Sequence, residues 1–129
     1  ESLINLEVLD IKYVNPLLNS LDTLVNLKKL SIKTRKLEES LKNLINLEEL
    51  NITLLDSEET ILGDSLSTLS NLKKLFLRKY NFPLGDSLKN LTKLEELDLG
   101  ANYFNQPLGD SLNYLRNLKI LKLSNIFKY

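Results

Sequence analysis

The phrase Leu-x-x-Leu-x-Leu, with Ile allowed at its last position, recurs six times in a chain of 129 residues. It stands at Leu6-Leu9-Ile11, Leu27-Leu30-Ile32, Leu47-Leu50-Ile52, Leu72-Leu75-Leu77, Leu94-Leu97-Leu99 and Leu118-Leu121-Leu123. Its middle members are spaced by 21, 20, 25, 22 and 24 residues. Periods of this size belong to stacked repeats, in which each unit buries its apolar face against its neighbours. Within a unit, Leu97 and Leu99 point one way while Glu96, Asp98 and Gly100 point the other, the pattern of a strand with one buried face. One strand per unit, joined to the next by a crossover, requires the strands to run parallel.

The crossover has its own pattern. In Gly85-Asp86-Ser87-Leu88-Lys89-Asn90-Leu91, a turn is followed by a capping residue, Asp86 or Ser87, and then by two leucines three apart. That predicts one or two turns of helix or 3₁₀ whose leucines join the strand leucines. Gly63-Asp64-Ser65-Leu66 and Gly109-Asp110-Ser111-Leu112 repeat the opening. Asn5, Asn26, Asn46, Asn71 and Asn117 precede the first Leu of their units, with Lys93 in the fifth. Asn tolerates the left-handed conformation that re-aims a chain, so these positions are expected to form turns. Pro83 and Pro107 stiffen the outbound loops. Asn15-Pro16-Leu17-Leu18 replaces a regular crossover in the first unit, and the stretch from Leu54 to Leu62 makes the third unit the longest. No linker divides the chain. Residues 1–129 are expected to form a single domain of about six repeats, an excerpt of a longer chain because the sequence opens at Glu1 rather than Met.

Leu supplies about a quarter of the residues, well above ordinary usage. Seventeen basic and 17 acidic side chains give a formal net charge of zero. That argues against a phosphate-tracking groove, hence against nucleic acid, and against an anionic membrane surface. The absence of Cys excludes disulfides and thiolate metal sites and favours a reducing, cytoplasmic compartment. Without His as well, the common zinc and acyl-transfer constellations cannot be built. Asp56, Glu58 and Glu59 cluster, but their spacing matches no calcium loop. No apolar run approaches the ~18 residues of a membrane span. The chain is therefore expected to be no enzyme and to carry neither metal nor cofactor.

These motifs resemble the leucine-rich-repeat family, whose conserved segment is Leu-x-x-Leu-x-Leu-x-x-Asn-x-Leu. The fifth unit matches throughout, with Leu94, Leu97, Leu99, Asn102 and Phe104. The phrase from Phe104 through Pro107 to Leu112, echoed from Phe82 to Leu88, is similar to the FNIP-type variants of amoebae and giant viruses. One departure stands out. The family Asn is present only as Asn102, and Val14, Arg35, Leu55, Tyr80 and Ile126 occupy the equivalent positions. The resemblance implies an α/β horseshoe. About six parallel strands would line its concave face, and short helices or 3₁₀ turns its convex face. It also implies a ligand-binding role, most often toward another protein, and brings no catalytic residues.

On that architecture the central concave column is Asp10, Ser31, Asn51, Phe76, Asp98 and Lys122. The dipeptides inside Leu-x-x-Leu run Glu7-Val8, Lys28-Lys29, Glu48-Glu49, Lys73-Lys74, Glu95-Glu96 and Lys119-Ile120, alternating in sign. Strands ~4.8 Å apart would turn this alternation into lateral ion pairs that penalise a shift by one repeat. Phe76 is a large apolar side chain in a polar column, ringed by Lys74, Arg78 and Lys79. The candidate partner-binding residues are accordingly Phe76, Lys74, Arg78, Lys79, Asp98, Asn51 and Lys122, facing an acidic protein. The competing reading packs Phe76 against its neighbours on the sheet. The sequence thus suggests a non-catalytic protein-interaction module. The alternatives are a recognition part of a larger enzyme complex or receptor, and a structural solenoid. The latter would associate end to end, because Leu3, Ile4, Ile126 and Phe127 leave both ends without a polar cap.

Overall fold

A computed structural model describes residues 3–14, 18–35, 41–55, 63–79, 86–100 and 109–123. The expectations for Pro16, the acidic stretch 56–62, Tyr80, Pro83, Asn102, Phe104, Pro107, Ile126 and Phe127 lie outside these residues. Each Leu-x-x-Leu-x-Leu phrase supplies one strand: β1 (Val8–Val14), β2 (Lys29–Thr34), β3 (Glu49–Leu54), β4 (Lys74–Arg78), β5 (Glu96–Asp98) and β6 (Ile120–Lys122). They form a six-stranded sheet in chain order, β1-β2-β3-β4-β5-β6. All neighbours are parallel, as a strand-plus-crossover repeat requires.

The register is in phase from end to end. Leu9, Leu30, Leu50, Leu75, Leu97 and Leu121 pair in succession, and Ile11, Ile32, Ile52 and Leu77 do the same one step along. A single irregularity falls in β1, between Lys12 and Val14. Each strand therefore sets its leucines on those of the next, and the buried face of the sheet is a leucine ladder.

The crossovers complete that core by an unusually direct rule. Leu21, Leu24, Leu27 and Leu30 are three residues apart, as are Leu41-Leu44-Leu47-Leu50, Leu66-Leu69-Leu72-Leu75 and Leu88-Leu91-Leu94-Leu97, and every one is buried. The backbone amides of Leu24 and Leu27 donate to the carbonyls of Leu21 and Leu24, at 2.9 and 3.0 Å, and the later units repeat both bonds. A three-residue bond closes a 3₁₀ turn, which has three residues per revolution, so side chains at i and i+3 eclipse. Leucine at every third position thus keeps one face inward from crossover to strand. Continuous 3₁₀ segments run over Leu18–Thr23, Gly63–Leu66 and Gly109–Tyr114. In the fifth unit the same stretch is a series of turns. Ser65, Ser87 and Ser111, each just before the first of these leucines, are buried at the tight inner side.

The asparagines do something other than expected. Among the described residues the non-glycine residue with positive φ is Lys79, at 61°, so Asn5, Asn26, Asn46, Asn71 and Asn117 are not left-handed turn formers. The amides of Asn26, Asn46, Asn71 and Asn117 link repeats instead. Asn26 Nδ2 donates to Ile4 O at 2.6 Å, Asn46 to Val25 O at 2.7 Å, Asn71 to Ile45 O at 3.0 Å and Asn117 to Thr92 O at 2.7 Å. The acceptor is in each case the carbonyl just before the equivalent position of the preceding unit. Lys93, which replaces Asn in the fifth unit, keeps the link by donating from Nζ to Asn71 Oδ1 at 2.8 Å. Those carbonyls sit where the turn ends and the strand has not begun, so no ladder amide reaches them. A side-chain amide supplies the missing donor.

Burial decides where a leucine matters most. Leu75 is 0% exposed in the middle of the stack, whereas Leu121, in the same column, is 42% exposed. Leu75→Ala should cost ~2–5 kcal/mol in urea denaturation, and Leu121→Ala less than about half of that. Equal losses at the two positions would contradict a stack held by its central repeats.

Candidate partner-binding face

The residues between the leucines stand on the opposite side of the sheet, and the register aligns them into columns. Asp10, Ser31, Asn51, Phe76, Asp98 and Lys122 pair in succession across β1 to β6. A second column carries Val8, Lys29, Glu49, Lys74, Glu96 and Ile120. A third carries Lys12, Lys33, Thr53 and Arg78.

The alternating dipeptides do become ion pairs between neighbouring repeats. Lys28 Nζ lies 3.3 Å from Glu7, Lys73 3.9 Å from Glu48, and Lys119 3.7 Å from Glu95. In the second column Lys29 reaches Glu49 at 3.8 Å. Lys122 crosses from the central column to Glu96, also at 3.8 Å. All are at least partly solvated, so each contributes only ~0–1 kcal/mol, and their main effect is on register.

Phe76 is half-buried in β4 between Asn51 and Asp98. Lys74 and Arg78, two residues to either side, share its face of the strand. Arg78 Nη2 donates to Asp98 Oδ2 at 3.0 Å, with the two side chains 42% and 8% exposed. Asp98 Oδ1 accepts from the backbone amide of Gly100 at 2.9 Å. Asp98 is thus buried and engaged at both oxygens. It fixes the guanidinium and the chain leaving β5, and offers no surface of its own. Lys122 is similarly drawn to Glu96, away from Phe76. Lys74 is different. Glu49 and Glu96 flank it in register, but each carries another lysine, and Lys74 makes no ion pair within 4 Å among the described residues. Lys79, exposed in its left-handed conformation at the end of β4, has none among the described residues either. The structure therefore sets Phe76, Lys74 and Arg78 on one face of β4, with Asn51 and Asp98 in register on either side of Phe76, while Lys79 stands at the end of the strand.

Sequence reasoning missed a second concavity. A polar groove of about 590 Å³ runs along the rim where the strands begin, lined by Asn5, Glu7, Asn26, Lys28, Asn46, Glu48 and Asn71. Its signal was present in the recurrence of Asn at a fixed register. The amides of its Asn26, Asn46 and Asn71 are occupied by the inter-repeat bonds, and its Lys28 is paired with Glu7. Among the described residues no three acidic side chains group closely enough to hold a metal ion, and no helix is long and apolar enough to cross a membrane. The trio Asp56, Glu58 and Glu59 lies outside them.

No family model matches the chain, and no curated protein matches it. Solved structures do. The leucine-rich-repeat ectodomain of the Arabidopsis receptor kinase HAESA, solved in complex with an N-terminally extended IDA peptide hormone, aligns over 97% of this chain with a TM-score of 0.80 and 27% identity. An internalin from Listeria monocytogenes aligns over 88% with a TM-score of 0.72 and 20% identity. A leucine-rich-repeat protein of Leptospira interrogans aligns over 98% with a TM-score of 0.67 and 22% identity. The chain spans 23%, 33% and 39% of those three proteins, respectively. The fold is a leucine-rich-repeat solenoid.

Two substitutions test the local geometry. Asp98→Asn weakens the bond to Arg78 beside a buried carboxylate and should cost ~1–3 kcal/mol by chemical denaturation. Lys79→Gly removes the steric cost of a left-handed non-glycine residue and should raise stability by up to ~1 kcal/mol. A destabilised Lys79→Gly variant would contradict the backbone assigned to the end of β4.

Proposed function

We propose that this solenoid is a non-catalytic protein-interaction module whose open sheet face, centred on Phe76, binds an acidic segment of a partner protein. The carrying observation is Phe76 itself: a half-exposed aromatic ring in an otherwise polar central column, with Lys74 and Arg78 on its face of the strand and Lys79 at the strand's end. Buried aromatic and Arg side chains supply most of the affinity at protein interfaces. The ring gives apolar contact area, and the Asp98-held guanidinium presents a pre-oriented donor fork to a carboxylate.

The charge on the face supports the sign of the partner. Lys12 and Lys33 pair in register as like charges, and with Lys74 and Lys79 they carry no ion pair within 4 Å among the described residues. Like charges side by side on adjacent strands destabilise a sheet. A partner carboxylate between them would relieve that repulsion. The peptide-hormone complex of the plant receptor ectodomain supports the use of a leucine-rich-repeat domain for binding a peptide. It also favours a place for this chain within a larger recognition protein. The phrases from Phe82 to Leu88 and from Phe104 to Leu112 support an FNIP-like variant of the repeat.

Selection from a displayed random-peptide library on the wild-type chain tests the reading. The recovered peptides should be rich in Asp and Glu and carry an apolar anchor. Phe76→Ala combined with Arg78→Ala should weaken them by at least ~10-fold, or ~1.4 kcal/mol. Unchanged affinity in that double variant would sink the site.

A further inference from the structure

Charge is arranged by two different rules along the strands. Where the strands begin, signs alternate from repeat to repeat and neighbours meet in ion pairs. The third column, Lys12, Lys33, Thr53 and Arg78, holds three cations, one hydroxyl and no acid. Lys33 stands between Lys12 and Thr53 in register, and makes no ion pair within 4 Å among the described residues. Thr53 is half-buried on the open face of β3, with Lys33 on one side and Arg78 on the other. Its side chain carries no hydrogen bond among the described residues. Asp98 engages Arg78 through Nη2, and the guanidinium has further N–H donors beyond that bond.

We propose that Lys33, Thr53 and Arg78 bind a phosphate monoester, carried as phosphoserine or phosphothreonine by an extended segment of a partner protein. This deepens, and rests on, the reading of the open face as a peptide-binding surface. Neighbouring strands lie ~4.8 Å apart, so Lys33 and Arg78 flank Thr53 at that distance on either side. Their long stems let both charged heads lean in above the hydroxyl. An ammonium, a hydroxyl and a guanidinium then offer donors to the three oxygens of one phosphate. Its charge of about −1.5 to −2 matches two cations. A carboxylate brings a single charge and two oxygens, and would leave one of the cations unmatched. Phe76 sets what accompanies the phosphate. It lies one strand from Thr53 and two residues back, ~8 Å away by the spacings of a sheet. Two or three residues of extended chain span that distance, so an apolar side chain two or three positions from the phosphorylated residue rests on the ring. Glu49 and Glu96, in the second column, set the opposite limit. They would repel a continuous polyanion laid across the face, such as nucleic acid or an anionic bilayer. A single phosphate in a peptide stays in the third column, clear of both acids.

Three immobilised peptide libraries test the site, identical in their degenerate flanks and differing in a central phosphoserine, glutamate or serine. The wild-type chain should bind the phosphoserine library at least ~10-fold more tightly than the glutamate library, with apolar residues enriched two or three positions from the phosphoserine. Lys33→Ala and Thr53→Val should each cut that preference by at least ~3-fold. Both positions lie outside the leucine core, so the thermal melts should hold. Lys89→Ala, which removes a charge from the crossover side, should leave the preference unchanged. Equal binding to the phosphoserine and glutamate libraries, lost in the Phe76→Ala, Arg78→Ala double variant, would overturn the phosphate site and leave the acidic-segment reading standing. Binding to neither library would overturn both. A phosphoserine preference that survives Lys33→Ala and Thr53→Val would place the phosphate elsewhere and overturn this site. So would the absence of any library preference together with Lys33-dependent sedimentation on vesicles containing phosphatidylinositol 4-phosphate, which would assign the column to a membrane surface.

Discussion

Leucine packed on leucine between successive repeats is the contact on which every other feature of this chain depends. A single unit of 20 to 25 residues cannot bury its own apolar face; it needs a neighbour on each side. Burial of one leucine contributes ~1.5–3 kcal/mol. Leu30, Leu50, Leu75 and Leu97 are joined by the crossover leucines at every third position, so each unit locks to the next through several such contacts. The in-phase register follows. So do the columns of the open face, because residues between fixed leucines have nowhere else to stand.

Around that core the polar residues divide their roles by position. At the rim where the strands begin, asparagine amides satisfy the carbonyls that the sheet leaves over, and Lys93 substitutes by bonding to Asn71. In the row of Glu7, Lys28, Glu48, Lys73, Glu95 and Lys119, and in the second column, the alternating charges pair between repeats and resist slippage. Only farther along the strands does the arrangement stop serving the stack. There Asp98 is spent on holding Arg78, and Phe76 is left half-exposed among cations.

Much of this was legible in the residues. The spacing of the leucines gave the parallel sheet and its register, and the sign alternation of the dipeptides gave the ion pairs, because both depend only on periodicity. Two features were read wrongly or partly, each for a physical reason. The asparagines looked like turn formers because Asn tolerates positive φ. Their real acceptors are 21 to 26 residues away, in a neighbouring repeat, where local reasoning does not reach. The pair Leu88 and Leu91 by itself fits either a helical turn or a 3₁₀ turn. The full run of leucines at intervals of three specifies 3₁₀ geometry. At the candidate site the sequence grouped seven residues by proximity. It could not show that Asp98 is buried and that Lys122 turns to Glu96, since both depend on side-chain direction across strands.

The central claim is that the stack fixes one face for recognition and reserves the rest for holding repeats together. Photo-crosslinking examines it most directly. A benzophenone amino acid is placed either at Phe76 on the open face or at Asn90 on the crossover side. Each chain is then irradiated with an acidic peptide recovered by selection on the wild-type protein. Adducts are expected from position 76 and background levels from position 90. Equal yields from the two positions, or adducts from position 90 alone, would contradict it.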